Sequence, residues 1–245
     1  MQIRLSLEVG RITDAFVTEV AEILGQKLYG IYMYGASVFQ DGGPVQDIDC
    51  TVILKSSLIE AEHASIVSLH RRLGERFPPL GAELDAYFIL LDDARRSGAP
   101  AHQLDPAVFD TAWALHCAHV RAGRFVTLWG PEPTDLFPAP TWDRVRSDLA
   151  YQLEYIKDHP QYPSYGVLNL CRILYSFRER DPVVSKHASG LWAVRQFPGY
   201  RPLIEAAMRS YGKKSERGDD ELLQEGLTGF LKFAEDRIKD LDPLG

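Results

Sequence analysis

Within the first twenty-five residues, Val9, Ile12, Phe16, Val20 and Ile23 recur at helical spacing, a one-sided stripe that predicts an amphipathic helix. Beyond it the period shortens. Leu28 to Leu54 reads as a strand, a glycine turn, a loop and a second strand. Leu84 to Leu91 reads as a further strand, in which Asp85, Tyr87 and Ile89 alternate with Ala86, Phe88 and Leu90. Between these strands Ser57-Leu58-Ile59-Glu60 has the order of a capping box and predicts a helix to about Arg76, stopped by Pro78-Pro79. Pro106 to Ala122, closed by Gly123, predicts another helix, and Phe125 to Leu128 a short strand.

Pro131, Pro133, Pro138 and Pro140 then interrupt a stretch with neither period, which places a domain boundary there and divides the chain into 1–138 and 139–245. From Trp142 onward the pattern is helical almost throughout, broken at Pro160 to Ser164, at Asp181-Pro182, at Pro198-Gly199 and at Gly212 to Gly218. About five helices fit, enough for a bundle. The expected architecture is a small α/β (α+β) domain with a mixed sheet, followed by an all-α bundle.

Candidate chemistry lies on the strands. Asp47-Ile48-Asp49 follows Gly35 by twelve residues and opens the second strand. Alternation sends Asp47 and Asp49 to one face and Ile48, Cys50, Val52 and Leu54 to the other. Paired carboxylates at a strand edge are what a hard cation such as Mg²⁺ uses, with water and substrate phosphates filling its other positions. If the Asp85 strand lies alongside, Asp85 completes a triad able to hold two metals about 3.5 to 4 Å apart. Glu83, two residues earlier on the same face, competes for that place but lies nearer the Gly81 turn. An Asp-x-Asp pair alone is usually solvated or caps a neighbour. Here the whole order, glycine after an apolar strand, fixed gap, acid pair and later acidic strand, favours a site.

That order resembles the signature of the DNA polymerase β-like nucleotidyltransferase superfamily. Leu128-Trp129-Gly130-Pro131, Leu136-Phe137, the segment Asn169 to Tyr175, Ser185-Lys186 and Trp192-Ala193 further resemble the helical carboxy-terminal domain of the streptomycin/spectinomycin adenylyltransferases. Together the motifs run from about Leu28 to Ile238. The resemblance implies a nucleotidyltransferase domain before the bundle, ATP as donor, two Mg²⁺ ions, and AMP transfer to a hydroxyl of a small, aminoglycoside-like molecule. By the same resemblance Asp47 and Asp49 are metal-binding acids. Asp85 takes the place of the catalytic base, there usually a glutamate. Gly35, with Ala36, Ser37 and Gln46, lies where the triphosphate is held, and Lys186 where a lysine neutralises phosphate. The chain departs from the family in three places: Ala36 stands where a serine follows the glycine, Gln46 where a serine precedes the acid pair, and Leu191 where an acid precedes the tryptophan. Loss of that last acid removes a partner for a cationic antibiotic. Ala36 and Gln46 leave open a second reading, a non-catalytic nucleotide-binding or regulatory protein with the same fold.

Charge narrows the field. A net charge of -7 and a pI near 5.5 argue against general nucleic-acid binding and against a polymerase acting on RNA ends, which need clustered Lys and Arg. Cys50, Cys117 and Cys171 are scattered in apolar patterns and read as reduced core thiols of a cytosolic protein. No apolar run is long enough to span a membrane. His116 and His119, three apart on one predicted helix, read as surface or half-buried histidines rather than zinc ligands. Trp113, Trp129 and Trp192 read as packing residues, Arg172 as a structural ion-pair partner, and Lys213-Lys214 with Arg217 equally as a triphosphate clamp or a solvated loop.

Overall fold

The structure, a computed structural model, describes residues 3–41, 43–133 and 135–242. It divides into two compact units, Met1–Gln40 with Val45–Thr141, and Asp41–Pro44 with Trp142–Gly245.

In the first unit α1 (Leu7–Leu24) is capped by Ser6, whose side chain accepts from the Val9 amide at 3.2 Å. It leads into β1 (Leu28–Tyr34), β2 (Ile48–Leu54), α2 (Glu60–Arg76), β3 (Leu84–Leu90), the one-turn α3 (Leu91–Ala94), α4 (Trp113–Arg121) and β4 (Val126–Trp129). The strands form one mixed sheet in the order β3-β2-β1-β4. β1 runs antiparallel to β2 and β4, and β2 runs parallel to β3 through the α2 crossover.

Period-2 alternation gives the sheet two different faces. One is apolar: Ile31 and Met33 of β1, Ile48, Cys50, Val52 and Leu54 of β2, and Leu84, Ala86 and Phe88 of β3 pack against Val9, Ile12, Phe16 and Val20 of α1 and Ile66, Leu69 and Leu73 of α2. At about 1.5–3 kcal/mol per fully buried large aliphatic or aromatic side chain, this layer is the main support of the unit. On the other face Tyr32, Ile53 and Ile89 pack with Trp113, Cys117 and Val120 of α4 and with Phe137, and toward the Asp49 end that face turns polar. An irregularity between Leu28 and Gly30 brings Leu28 onto the apolar face. A Cβ on residue 30 would overlap the Tyr32 ring, so glycine there lets Tyr32 lie flat and donate its hydroxyl to the Pro131 carbonyl at 2.8 Å.

Two elements differ from the sequence reading. The helix expected from Pro106 starts only at Trp113, because Asp105 and Asp110 each take the amide two residues on, from Ala107 at 3.2 Å and from Ala112 at 3.0 Å. Such Asx turns compete with helix. The helix α2 is capped at Ile59, not Ser57: Glu62, not Glu60, reaches back to the Ile59 amide at 2.9 Å and also pairs with Lys27 at 2.8 Å.

The second unit holds α5 (Trp142–Asp158), α6 (Pro163–Glu179), α7 (Lys186–Gln196), α8 (Arg201–Tyr211) and α9 (Asp219–Leu241). Buried residues lie all round α6, from Val167 and Leu168 to Leu174 and Phe177, which makes it the central helix. A chelate between Arg209 and Asp219, at 3.0 and 2.6 Å, fastens the end of α8 to the start of α9. The segment Asp41–Pro44 belongs to this unit: Asp41 accepts from the Ser185 hydroxyl, and Ser185 in turn caps α7 by accepting the Ala188 amide at 2.9 Å. Among the described residues no helix is long and apolar enough to cross a membrane.

Candidate functional site

β1 ends at Tyr34, and the chain reverses through a 3-10 turn, Gly35–Val38, with Gly35 at φ 71°. A Cβ at residue 35 would overlap Oδ2 of Asp49. The backbone of the turn therefore lies against that carboxylate, an approach and a conformation that only glycine allows without strain. Ser37 turns its hydroxyl onto the Asp47 carbonyl at 3.4 Å, tying the turn to the acidic segment, while Ala36 occupies the position after the glycine.

Register decides what the acids can share. Asp49 is the cross-strand partner of Tyr34 on one side and of Asp85 on the other. Tyr34, Asp49 and Asp85 thus form a row across three strands on one face, with neighbouring strands about 4.8 Å apart. Asp47 immediately precedes β2, and its Oδ1 is buried without a hydrogen-bond partner. Gln46 is the residue before it. Glu83, the other acid weighed from sequence, lies in the 3-10 turn ahead of β3, and it is Asp85 that aligns with Asp49. Among the described residues no three His, Cys, Asp or Glu side chains already form a metal cage.

Electrostatics follow from this crowding. Asp85 is accessible at its strand end, yet the surrounding protein holds its pKa above the usual carboxylate value. Desolvation is the main cause, Asp110 adds to it, and His102, His116 and His70 oppose it. Solvent at the exposed carboxylate limits the effect. Burial, with the charges of Asp110, Asp49 and Asp85, raises the Tyr34 phenol well above its ordinary value and keeps it a neutral hydroxyl.

Sequence reasoning missed two neighbours of this face, Asp110 and His102, and, for His116, which it reads as surface or half-buried, the pairing with Asp110. Asp110 is buried, takes the Ala112 amide on Oδ1 and holds His116 Nδ1 on Oδ2 at 2.8 Å. The His116 ring lies 4.4 Å from that of Tyr34. His102 stacks on Tyr87 at 4.3 Å, and its Nδ1 meets the Phe88 backbone amide at 3.1 Å. His119 is buried against Phe39, 5.5 Å between ring centroids, so the two histidines of α4 do different things. An Asp six residues before a His is too ordinary a spacing to have pointed to the pair.

In the second unit Lys186 is the first residue of α7. Its ammonium donates to the Tyr211 hydroxyl at 3.0 Å and lies 5.0 and 4.8 Å from the Tyr165 and Tyr211 ring centres. Leu191 is exposed on the same helix. Arg172 donates to Asn169 at 3.3 Å. Trp113 and Trp192 are buried, Trp129 is half exposed, and Lys213, Lys214 and Arg217 are exposed on the α8–α9 loop. All three cysteines are buried free thiols.

Residues 138–235 match the family described as "Aminoglycoside adenylyltransferase, C-terminal domain". Among solved structures, the spectinomycin adenyltransferase AAD(9) from Enterococcus faecialis, with ATP and spectinomycin, superposes with a TM-score of 0.78 at 15% identity, over 94% of this chain and 99% of that one. A mutant of the toxin-antitoxin pair MntA-HpeT aligns over 60% of this chain and 91% of that one at 13% identity, but its TM-score of 0.28 carries no argument. No curated protein matches by sequence. The chain thus shares the fold of the spectinomycin adenyltransferase AAD(9), here a domain with a small mixed sheet followed by a helical domain, and its residues 138–235 match the aminoglycoside adenylyltransferase C-terminal domain.

Proposed function

We propose that the protein is a nucleotidyltransferase that moves AMP from ATP to a hydroxyl of a small molecule, an aminoglycoside-like antibiotic being the first acceptor class to test. One observation carries the reading: Asp49 and Asp85 stand in register on adjacent strands, and the Asp49 carboxylate lies against the Gly35 turn. The same fold binds ATP and spectinomycin in AAD(9), which supports both substrates.

The acidic face fits Mg²⁺ as that ion is usually held. It takes one or two carboxylates and completes its shell with water and phosphate oxygens, so no closed protein cage is needed, and Asp47 keeps a buried oxygen unpaired. Asp47 and Asp49 would hold the metal with Asp85 as the third acid; when bound, the metal neutralises charge on the phosphates and the leaving pyrophosphate. The chain itself supplies position. Backbone amides around Gly35, Ala36 and Ser37 face the triphosphate, Gln46 adds an amide beside Asp47, and the carboxylate of Asp85 takes the proton of the attacking hydroxyl. Lys186 serves as a further phosphate-neutralising group. The nucleotidyltransferase part of this enzyme is residues 1–138 and its helical part residues 139–245, except that Asp41–Pro44 groups with the helical unit and the compact units divide at Thr141. It works without nucleic acid or membrane, in the cytoplasm, and confers antibiotic resistance.

The reading is tested by incubating the chain with Mg-ATP and spectinomycin, streptomycin and a set of other polyols, and measuring pyrophosphate. Release that depends on both an acceptor and Mg²⁺ supports it. Tight Mg-ATP binding without release to any acceptor replaces it with the non-catalytic reading.

A further inference from the structure

The segment that joins the Gly35 turn to Asp47 does not stay wholly with its own sheet. Phe39 and Val45 pack against the apolar core of the first unit, and Gln40 donates to the Arg4 carbonyl at 3.4 Å, but Asp41–Pro44 between them belong to the helical unit. A clasp holds them there. One oxygen of Asp41 accepts the Ser185 hydroxyl and the other the Gly43 amide at 3.1 Å. The Ser185 oxygen in turn accepts the Ala188 amide at 2.9 Å and so caps α7, whose first residue is Lys186. A Cβ on residue 43 would stand 2.8 Å from Cβ of His187, closer than two such carbons approach, so glycine lets the loop lie on the helix. Asp41 is exposed, whereas Ser185 is buried. The clasp therefore links the two stretches to which the adenylyl-transfer reading assigns phosphate-holding groups, the loop from Gly35 to Asp47 and the start of α7.

We propose that the Asp41–Ser185 clasp is a positioning element for Mg-ATP: it fastens the loop that carries Gln46 and Asp47 to the first turn of α7, so that this loop and Lys186 are set for the triphosphate together. The inference rests on the adenylyl-transfer reading above and adds Asp41, Gly43 and Ser185 as residues that act through Asp47 and Lys186. An unfastened loop leaves the nucleotide itself to order these groups, and that ordering subtracts from affinity. Linkage makes the effect reciprocal. Whatever factor the clasp adds to Mg-ATP affinity, bound Mg-ATP adds to the stability of the clasp.

Calorimetric titration with Mg-ATP compares the unmutated chain with Asp41→Ala, Asp41→Asn and Gly43→Ala, and Asp41→Ala is also combined with Lys186→Ala. Asp41→Ala and Gly43→Ala should weaken Mg-ATP binding roughly five- to fiftyfold, within the usual range for linked sites. Asp41→Asn, which keeps one carbonyl oxygen as an acceptor, should lose less. Removal of a negative charge acting by itself would tighten binding of an anion, so the sign of the change separates positioning from charge. In the Lys186→Ala background the effect of Asp41→Ala should shrink by about threefold or more, because a clasp that acts through Lys186 has less left to position. Affinity within about twofold of the parent in folded Asp41→Ala and Gly43→Ala, or full additivity with Lys186→Ala, overturns the proposal, whatever happens to Tm. Should these variants fail to fold, hydrogen exchange at the Gly43 and Ala188 amides of the unmutated chain decides: Mg-ATP should slow both, and unchanged rates overturn the proposal. Both readouts are of binding. An unmutated chain that binds Mg-ATP and transfers AMP to no acceptor overturns the catalytic reading alone, whereas one that binds no Mg-ATP overturns both.

Discussion

Two glycines separate backbone strain from the chemistry of the site. Gly35 and Gly123 have nearly the same backbone angle, φ 71° and 73°, but a Cβ at residue 35 would overlap the Asp49 carboxylate while one at residue 123 meets nothing within 4 Å. Alanine in the left-handed region costs about 1–2 kcal/mol, offset by about 0.4–1 kcal/mol from the stiffer unfolded chain. Gly123→Ala should therefore destabilise by about 1 kcal/mol, a fall of about 2–4 °C in Tm for a chain of this size, and leave nucleotide binding alone. Gly35→Ala carries the same backbone cost and must also push Asp49 aside or open the turn. Its Tm should fall further, and Mg-ATP affinity should drop at least tenfold, about 1.4 kcal/mol. The assays are thermal denaturation and calorimetric titration with Mg-ATP. Equal Tm losses with unchanged affinity in Gly35→Ala would refute the claim that this turn and Asp49 form one binding surface.

Asp47→Asn and Asp49→Asn should each abolish transfer and weaken Mg-dependent ATP binding while leaving the fold intact or steadier, since crowded like charge is relieved; unchanged ATP affinity in both would place the nucleotide elsewhere. Asp85→Asn should stop transfer yet raise stability at neutral pH, because the folded carboxyl binds its proton more tightly than the unfolded one, so ionisation above the unfolded pKa of 3.8 costs stability; a lower Tm at pH 7 would contradict this. His70 and His102 have pKa values pushed below 6.5, chiefly by burial. The unfolded chain then binds more protons, and stability should fall as pH is lowered from 7 through 6.5 and below. Urea titrations should show that slope shrinking in His70→Gln, and an unchanged slope would refute the assignment. Ala36→Ser should tighten ATP binding by at most about 1.5–3 kcal/mol, one hydrogen bond to a charged group, and weaker binding would show that the position is not at the phosphates.

The sheet was legible because burial on its apolar face imposes strict alternation, so Ile48, Cys50, Val52 and Leu54 announced β2 and, by difference, the outward face of Asp49. The five helices were legible for the same reason, with Pro and Gly marking their ends. Residues 105–112 were not, because two aspartates divert the backbone into turns whose cost shows only when the competing amides are known. The parallel pairing of β2 with β3, which sets Asp85 beside Asp49, is a tertiary fact that no local pattern contains. Neither does any local pattern contain the meeting of Asp110, His116 and Tyr34, which arrive from a loop, a helix and a strand. The membership of Asp41–Pro44 in the helical unit has the same origin: it depends on Ser185, far along the chain.

The central claim is tested most directly by supplying ATP labelled at the α-phosphorus, with Mg²⁺, to the unmutated chain and to Asp49→Asn in the presence of spectinomycin, streptomycin and the polyol set, and separating the products. The account predicts label covalently attached to a small-molecule hydroxyl, one pyrophosphate released for each label transferred, and neither product from Asp49→Asn. Label remaining wholly in ATP across every acceptor, despite saturable Mg-ATP binding, would contradict it.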